Sequence, residues 1–320
     1  MSEAVDPSAG DVSVTQLSLA SLLVYPIKSC GGVTLTEAMV IETGLEFDRA
    51  WMVVDAAGRF VTQRELPRMV LIQPTLKSAE MVLRAPGMLA LHVALDRVEM
   101  PTRAMVWDDE VAAYDMGDLC AQWFSDFLGS PPPGRPKADT PPRGADAGGV
   151  LGVKFPLRLV RFDPEQKRLS DHHWTGAIDA ENAFADGFPM LVASLAGLAE
   201  FNRRLVAQGQ AAVTMARFRP NLVLDGLDAH GEDSLDEITF ATADGPVRLK
   251  LVKPCARCPI PDVDPATGER GHAVGDVLAS YRADARMNGA LTFGMNAVIV
   301  EGIERVLRTG LSGEATFAFD

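Results

Sequence analysis

Ile238-Thr239-Phe240-Ala241-Thr242-Ala243-Asp244-Gly245-Pro246-Val247-Arg248-Leu249-Lys250-Leu251-Val252-Lys253-Pro254-Cys255-Ala256-Arg257-Cys258 is the stretch on which the fold turns. A run Ile238–Ala241, a turn signal at Asp244-Gly245 and a second run Val247–Val252 predict a β-hairpin. Its second strand leads directly into a Cys-x-x-Cys pair, which therefore caps a strand end. Strand signals continue on both sides. From Leu17 to about Trp107, short apolar runs such as Leu22–Tyr25, Trp51–Val54 and Leu89–Val93 alternate with turn residues, and Val53–Val61 has the strand, Gly58-containing turn and strand of a second hairpin. A small barrel or sandwich closes such a set. Leu157–Phe162, Asn221–Leu224, Met295–Val300 and Ala315–Phe319 read as further strands. Helices are fewer. Leu119, Trp123, Phe124, Phe127 and Leu128 predict an amphipathic helix over 118–128, and Ser194 caps a predicted helix to Ala207 with Leu195, Leu198 and Leu205 on one face.

The chain has 320 residues, 47% apolar and 23% charged, close to the globular average, and two domains are expected at about 100–200 residues each. Thirty Lys and Arg against 43 Asp and Glu give a net charge of −13, whose field repels nucleic acid. No basic residue precedes Lys28, which argues against an export signal, and the apolar run near Leu17–Tyr25 is broken by Ser18 and Ser21. A cytoplasmic protein that does not enter the membrane is expected. Residues 1–15, acidic and rich in Ser, Gly and Pro, are expected as a disordered tail, and the Gly- and Pro-dense 129–149 as a loop between domains spanning 16–128 and 150–320.

Four cysteines, Cys30, Cys120, Cys255 and Cys258, are too few for a disulfide scaffold. The 255–258 pair could be half a zinc knuckle, a redox dithiol, a single-metal thiolate or packing. Lys253 and Arg257 beside it favour a thiolate, while no second knuckle completes a zinc site. Lys28 and Ser29 precede Gly31-Gly32, where backbone can approach an anion; Arg49 stands at the mouth of the strand at Trp51; and Pro220 is expected to hold Arg219 extended, with Arg219 and Asn221 on one side of a strand. A guanidinium fork beside an amide suits a polar, planar ligand. His172-His173 on a strand would face opposite ways and not chelate; His230 and His272 read as turn residues, and Asp264-Pro265 as a turn initiator.

Val24-Tyr25-Pro26-Ile27-Lys28-Ser29-Cys30, Asp48-Arg49-Ala50-Trp51, Phe218-Arg219-Pro220-Asn221, Cys255-Ala256-Arg257-Cys258 with Val263–Gly268, and Phe293-Gly294-Met295-Asn296 occur in that order. Together they resemble the molybdenum-cofactor family with an N-terminal MOSC β-barrel domain followed by a MOSC domain, which contains the mitochondrial amidoxime-reducing component and bacterial YcbX. The resemblance spans about Leu17 to Val306. It implies an α+β, mainly β fold: a MOSC-type β-barrel domain, then a MOSC β-barrel domain with peripheral helices. It further implies Cys258 as the metal's protein ligand and catalytic residue, a choice over Cys255 that spacing does not make, and Lys28, Ser29, Arg49, Arg219, Asn221 and Arg257 as holders of the pterin and its phosphate. Asp186-Gly187-Phe188-Pro189 stands where the family can use Thr-Ser before Pro, and Ala256 has no hydroxyl.

The activity so implied is molybdenum-cofactor-dependent reduction of N-hydroxylated small molecules such as amidoximes and hydroxylamines. With no cysteine in Leu311–Asp320, electrons are expected from a separate flavin reductase, ferredoxin or cytochrome b5-like protein. Two rivals are a MOSC sulfur carrier using a cysteine persulfide and a protein that stores or delivers molybdenum cofactor.

Overall fold

The computed structural model describes residues 14–97, 100–129 and 152–318. Residues 1–13, Phe319 and all of the expected loop 129–149 except Gly129 lie outside these. The end of the expected tail is already strand, because Val14 and Thr15 pair with Thr316 and Ala315.

A closed barrel of seven strands organises the protein. Its order is Met190–Ser194, Leu222–Asp225, Val14–Val24, Ser312–Phe317, Leu235–Thr242, Gly245–Ala256, Ala290–Glu301 and back to Met190–Ser194. Alternation builds it: Ile238 and Phe240 on one strand, and Val247, Leu249 and Leu251 on the next, fill the interior with Leu19, Leu22, Leu222 and Leu224. The hairpin expected from the sequence is here, pairing Thr242 with Gly245. Met190–Ser194 and Leu222–Asp225 are parallel, so a crossover must join them, and the helix Leu195–Ala207, capped by Ser194, provides it. That helix buries Gly197, Phe201 and Leu205, while Leu195, expected on the same face, is in the first turn and exposed. At the closing seam Gly294 has φ +77°, and a Cβ there would stand 2.5 Å from the Val192 carbonyl oxygen, so only glycine lets the last strand meet Met190–Ser194.

A second sheet runs Trp51–Val54, Arg158–Phe162, Asp109–Asp115, Met100–Val106, and a third Gln73–Leu76, Glu80–Arg84, Leu91–Ala94. The helix Asp118–Gly129 packs Cys120, Trp123, Phe124, Phe127 and Leu128 into their shared core with Trp51, Met81 and Leu83. Each such large side chain contributes about 1.5–3 kcal/mol on burial. Leu119, expected in that stripe, is one position off it and is exposed. Strands cross the expected division of the chain in both directions. Val14–Val24 belongs to the barrel, and Arg158–Phe162 joins Trp51–Val54. The segments after Val24, before Trp51 and before Leu222 are thereby brought to one junction. No helix among the described residues is long and apolar enough to cross a membrane.

Candidate functional site

At that junction opens a cavity of about 470 Å³, and Lys28, Ser29, Arg49, Arg219, Asn221, Arg257 and Cys258 all line it. Each sits where a strand starts or stops, because strand ends free backbone and side chains to turn inward. Lys28 and Ser29 follow Val14–Val24, Arg49 precedes Trp51–Val54, Arg219 and Asn221 precede Leu222–Asp225, and Arg257 and Cys258 follow Gly245–Ala256.

Three of these residues, Ser29, Arg49 and Arg219, have left-handed backbone, with φ of +67°, +49° and +57°. Non-glycine residues stay there only when their surroundings hold them. Arg219 is therefore not extended, as Pro220 had suggested, and neither it nor Asn221 lies on a strand. Its carbonyl accepts Arg49 Nη2 at 3.1 Å, its Nη1 donates to the Cys30 carbonyl at 2.6 Å, and its guanidinium lies 4.1 Å from the Tyr25 ring centre. Those contacts outweigh the pre-proline preference. Asn221 is likewise a brace: Oδ1 accepts the Leu191 N–H and Arg49 Nη1, and Nδ2 donates to the Leu23 carbonyl. The Gly31-Gly32 turn makes room for protein rather than for an anion, since a Cβ on Gly32 would meet the Tyr25 ring at 2.6 Å.

The cations divide into two groups. Lys28 pairs with Asp186 at 2.6 Å, Arg49 with Asp48 at 2.6 Å and Arg168 with Asp109 at 2.7 Å. Arg64, Arg219 and Arg257 also line the cavity, with no carboxylate in ion-pair reach among the described residues. Burial, with Arg49 nearby, lowers Arg219 to about 10, so it remains charged at neutral pH. Arg257 donates to the Phe218 carbonyl and to Cys255 Sγ at 3.0 Å, and its buried Nε has no partner. Lys28, also lowered by burial, is supported by Asp186, and that carboxyl is in turn held well below its usual range, against the effect of burial, by Lys28, Arg49 and the Trp107 N–H.

The thiols divide too. Cys30 and Cys120 are buried, and burial pushes Cys30 up to about 12, an inert thiol. Cys255 is half-buried against Arg257, and Cys258 is the exposed thiol on the cavity wall. No group of three or more His, Cys, Asp or Glu gathers as a metal cage among the described residues.

Asp262, Asp264 and the histidines stand apart from the cavity. Asp262 accepts the N–H groups of Val274 and Gly275 at a helix start, and Asp264 makes the expected turn while binding Arg217. His272 is exposed beside Asp276. His172 and His173 lie on a short helix rather than a strand, and His230 is a turn residue as expected but half-buried against Tyr281. Sequence reasoning missed Arg64, Trp107, Asp108, Asp109 and Arg168 in the lining. Only position marks them: Trp107 and Asp108 are the two-residue turn between strands 100–106 and 109–115.

Comparisons with known proteins agree with this architecture. The chain matches the MOSC N-terminal beta barrel domain over residues 16–131 and the MOSC domain over 179–311. It is 32% identical to mitochondrial amidoxime-reducing component 1 of Homo sapiens over 274 residues, covering 83% of this chain and 72% of that one. It is 31% identical to mitochondrial amidoxime reducing component 2 of Bos taurus over 282 residues, with the same coverages of 83% and 72%. A crystal structure of the YUAD protein of Bacillus subtilis superimposes over 96% of this chain and 100% of its own at 9% identity and a TM-score of 0.41, a likeness too loose to carry an argument. The order of domains and the identity over most of its length place this chain in the MOSC-domain family of the mitochondrial amidoxime-reducing components.

Proposed function

We propose that this protein is an oxidoreductase that uses a molybdenum cofactor to reduce N-hydroxylated compounds, amidoximes among them. In the net reaction an amidoxime takes two electrons and two protons, its N–O bond breaks, and the products are an amidine and water. The observation that carries the reading is the meeting, in one cavity, of the unpaired guanidiniums of Arg219 and Arg257 with the exposed Cys258 thiol. The relatives' names supply the substrate class.

The donor set fits a pterin phosphate bearing a metal. A phosphate carries about −1.5 to −2 charges, and fork-like cations left without carboxylates, one with an orphaned buried Nε, suit it. Cys258 would give the metal its one protein thiolate, which accords with a site that lacks a cage of protein ligands. When bound, the cofactor supplies the two-electron change. Arg219 and Arg257 would hold the phosphate, with Lys28 and Ser29 as further donors of the same lining, and Asp48 and Asn221 keep Arg49 in place. Electrons in this reading come from a separate flavin reductase, ferredoxin or cytochrome b5-like protein, and turnover with NADH alone would overturn that part of it.

Elemental analysis of protein made in a host that synthesises molybdenum cofactor tests the reading. Near-stoichiometric molybdenum, lost in Cys258→Ser together with benzamidoxime reduction, is the expected result. Zinc alone overturns it, and a persulfide on Cys258 without molybdenum points to the sulfur carrier. Bound molybdenum with no turnover under any electron donor leaves storage or delivery.

A further inference from the structure

Two exposed carboxylates and an exposed aromatic ring stand together on the cavity lining, and the ring is held at a conformational cost. Val106 and Asp109 pair across a two-residue hairpin turn, Trp107-Asp108. Trp107 occupies the first turn position with φ +55°, a place that Gly, Asn or Asp fills at little cost and a bulky aromatic does not. Such an outlier points to a use for the side chain. The Trp107 indole is 42% exposed by residue, lines the cavity, and is backed by Phe60 at 5.1 Å and the Arg64 guanidinium at 4.5 Å. Its Nε1 donates to Asp186 Oδ1 at 3.2 Å, the same oxygen that takes Lys28 Nζ. Asp186 Oδ2 is thereby left without a hydrogen bond among the described residues, on a side chain 71% exposed. Asp108, next to Trp107, lines the cavity and makes no ion pair or hydrogen bond there. Two carboxylates with spare acceptor capacity thus flank one exposed aromatic ring, with Lys28 on Asp186 and the Arg64 guanidinium on the ring as the cations beside them.

We propose that this acidic corner, Trp107, Asp108 and Asp186, binds the amidine end of the substrate and selects N-hydroxylated amidines over N-oxides, which offer the carboxylates no N–H donor. The proposal rests on the reductase reading above. An amidoxime presents N–H donors to a carboxylate, and the amidine left when its N–O bond breaks takes up a proton at neutral pH. Positive charge therefore develops during the reaction, and fixed carboxylates beside it favour its formation. The planar group is matched by the indole, which stacks with flat cationic groups as it already does with Arg64.

Calorimetry on the purified full chain, with benzamidine and its neutral isostere benzamide as probes, tests the corner without turnover. Wild type is expected to bind benzamidine about tenfold tighter than benzamide, with a change in tryptophan fluorescence that Trp107→Phe removes. Asp108→Asn and Asp186→Asn should each reduce that preference severalfold and leave benzamide unchanged. Asp108 has no partner to lose, so its variant folds. Equal affinities in wild type, or a full preference retained in both variants, would overturn the proposal. If the preference follows the carboxylates but the metal-loaded protein does not reduce benzamidoxime, the corner stands and the reductase reading fails. If benzamidoxime is reduced with no preference over an N-oxide in wild type or Asp108→Asn, the reverse holds.

Discussion

Two regions of this protein bury charged groups, and they treat them in opposite ways. Beside the helix Leu195–Ala207 lies a closed polar cluster. His230 Nε2 meets the Tyr281 hydroxyl at 3.1 Å, Glu232 Oε1 accepts the Ser194 N–H at 3.2 Å, and Arg282 Nη2 donates to Asp233 Oδ2 at 2.6 Å. Burial lowers His230 to about 4 and raises Glu232 and Asp233, the last against its ion pair with Arg282, so burial works against charge throughout the cluster. In the cavity Arg219 keeps its charge, and neither it nor Arg257 has a carboxylate in ion-pair reach among the described residues. The difference is access to solvent. Water can solvate an unpaired guanidinium in an open cavity until a ligand replaces it, whereas an unpaired ion in a core costs several kcal/mol. An unpaired charge is therefore a sign of binding only where a cavity reaches it.

The largest effect that could break this contrast comes from removing one arginine in each region. Arg282→Met strands Asp233, whose Oδ1 already lacks a partner, and should destabilise by about 3–5 kcal/mol in urea unfolding. Arg219→Met loses one hydrogen bond to a carbonyl and a ring contact, and should cost no more than about 1.5 kcal/mol. Equal losses would mean that Arg219 is a structural residue like Arg282.

Next in size is the response to an anion. Pyrophosphate should raise the melting temperature of metal-free wild type, since a ligand at about 100 times its dissociation constant adds about 2.7 kcal/mol. Arg219→Met and Arg257→Met should each weaken pyrophosphate at least tenfold, and Arg282→Met, corrected for its lower stability, should not. A pyrophosphate effect undiminished by Arg219→Met and Arg257→Met would move the anion site away from the unpaired guanidiniums.

How much of this was legible in the sequence follows from what sets each feature. Lys28, Arg49, Arg219 and Arg257 came through the family resemblance, whose short motifs lie at strand ends, and the hairpin ending at Cys255 was carried by turn chemistry and alternation. The paired or unpaired state of each cation was not legible, because Asp186 and Asp109 reach Lys28 and Arg168 from segments 158 and 59 positions away. Nor was the backbone of Arg219, where contacts to Arg49, Cys30 and Tyr25 override the local effect of Pro220. Strand exchange was hidden for the same reason: the partner of Val14–Val24 is chosen by barrel closure with Ser312–Phe317, at the other end of the chain. The Trp107 turn carries no Gly or Asn to announce its left-handed residue.

Acid sharpens the comparison further. His230 sits near 4 folded against an ordinary value near 6.5, so between those values the unfolded chain holds more protons and stability falls as pH drops from about 6.5 to about 4. Glu232 and Asp233, raised by burial, act in the other direction: their contribution is present at low pH and is lost as pH rises through their folded values. The His230 part is isolated by subtracting His230→Asn, which tolerates the same left-handed backbone at φ +60°. After allowance for partial solvent screening, the advantage of His230 over Asn should shrink by about 1–2 kcal/mol across that range. A pH-independent difference would mean that His230 titrates alike in the folded and unfolded chain, with no lowering by burial.

The smallest effect separates the two regions at a single atom. Ser194 ends a barrel strand and caps the crossover helix, with Oγ accepting the Gly197 N–H at 3.0 Å while its own N–H donates to Glu232. Ser194→Ala removes only the cap and keeps the backbone bond, so it should cost about 1 kcal/mol, or roughly 2–4 °C in melting temperature. The Phe218 ring, next in sequence to Arg219, stacks on Phe293 at 3.8 Å, and Phe293 meets His230 edge-on at 5.6 Å, so the cluster touches the wall that holds Arg219. If that wall is rigid, the cap variant leaves pyrophosphate and benzamidine binding unchanged. A severalfold loss of either would mean that packing of the closed cluster sets the geometry of the open one.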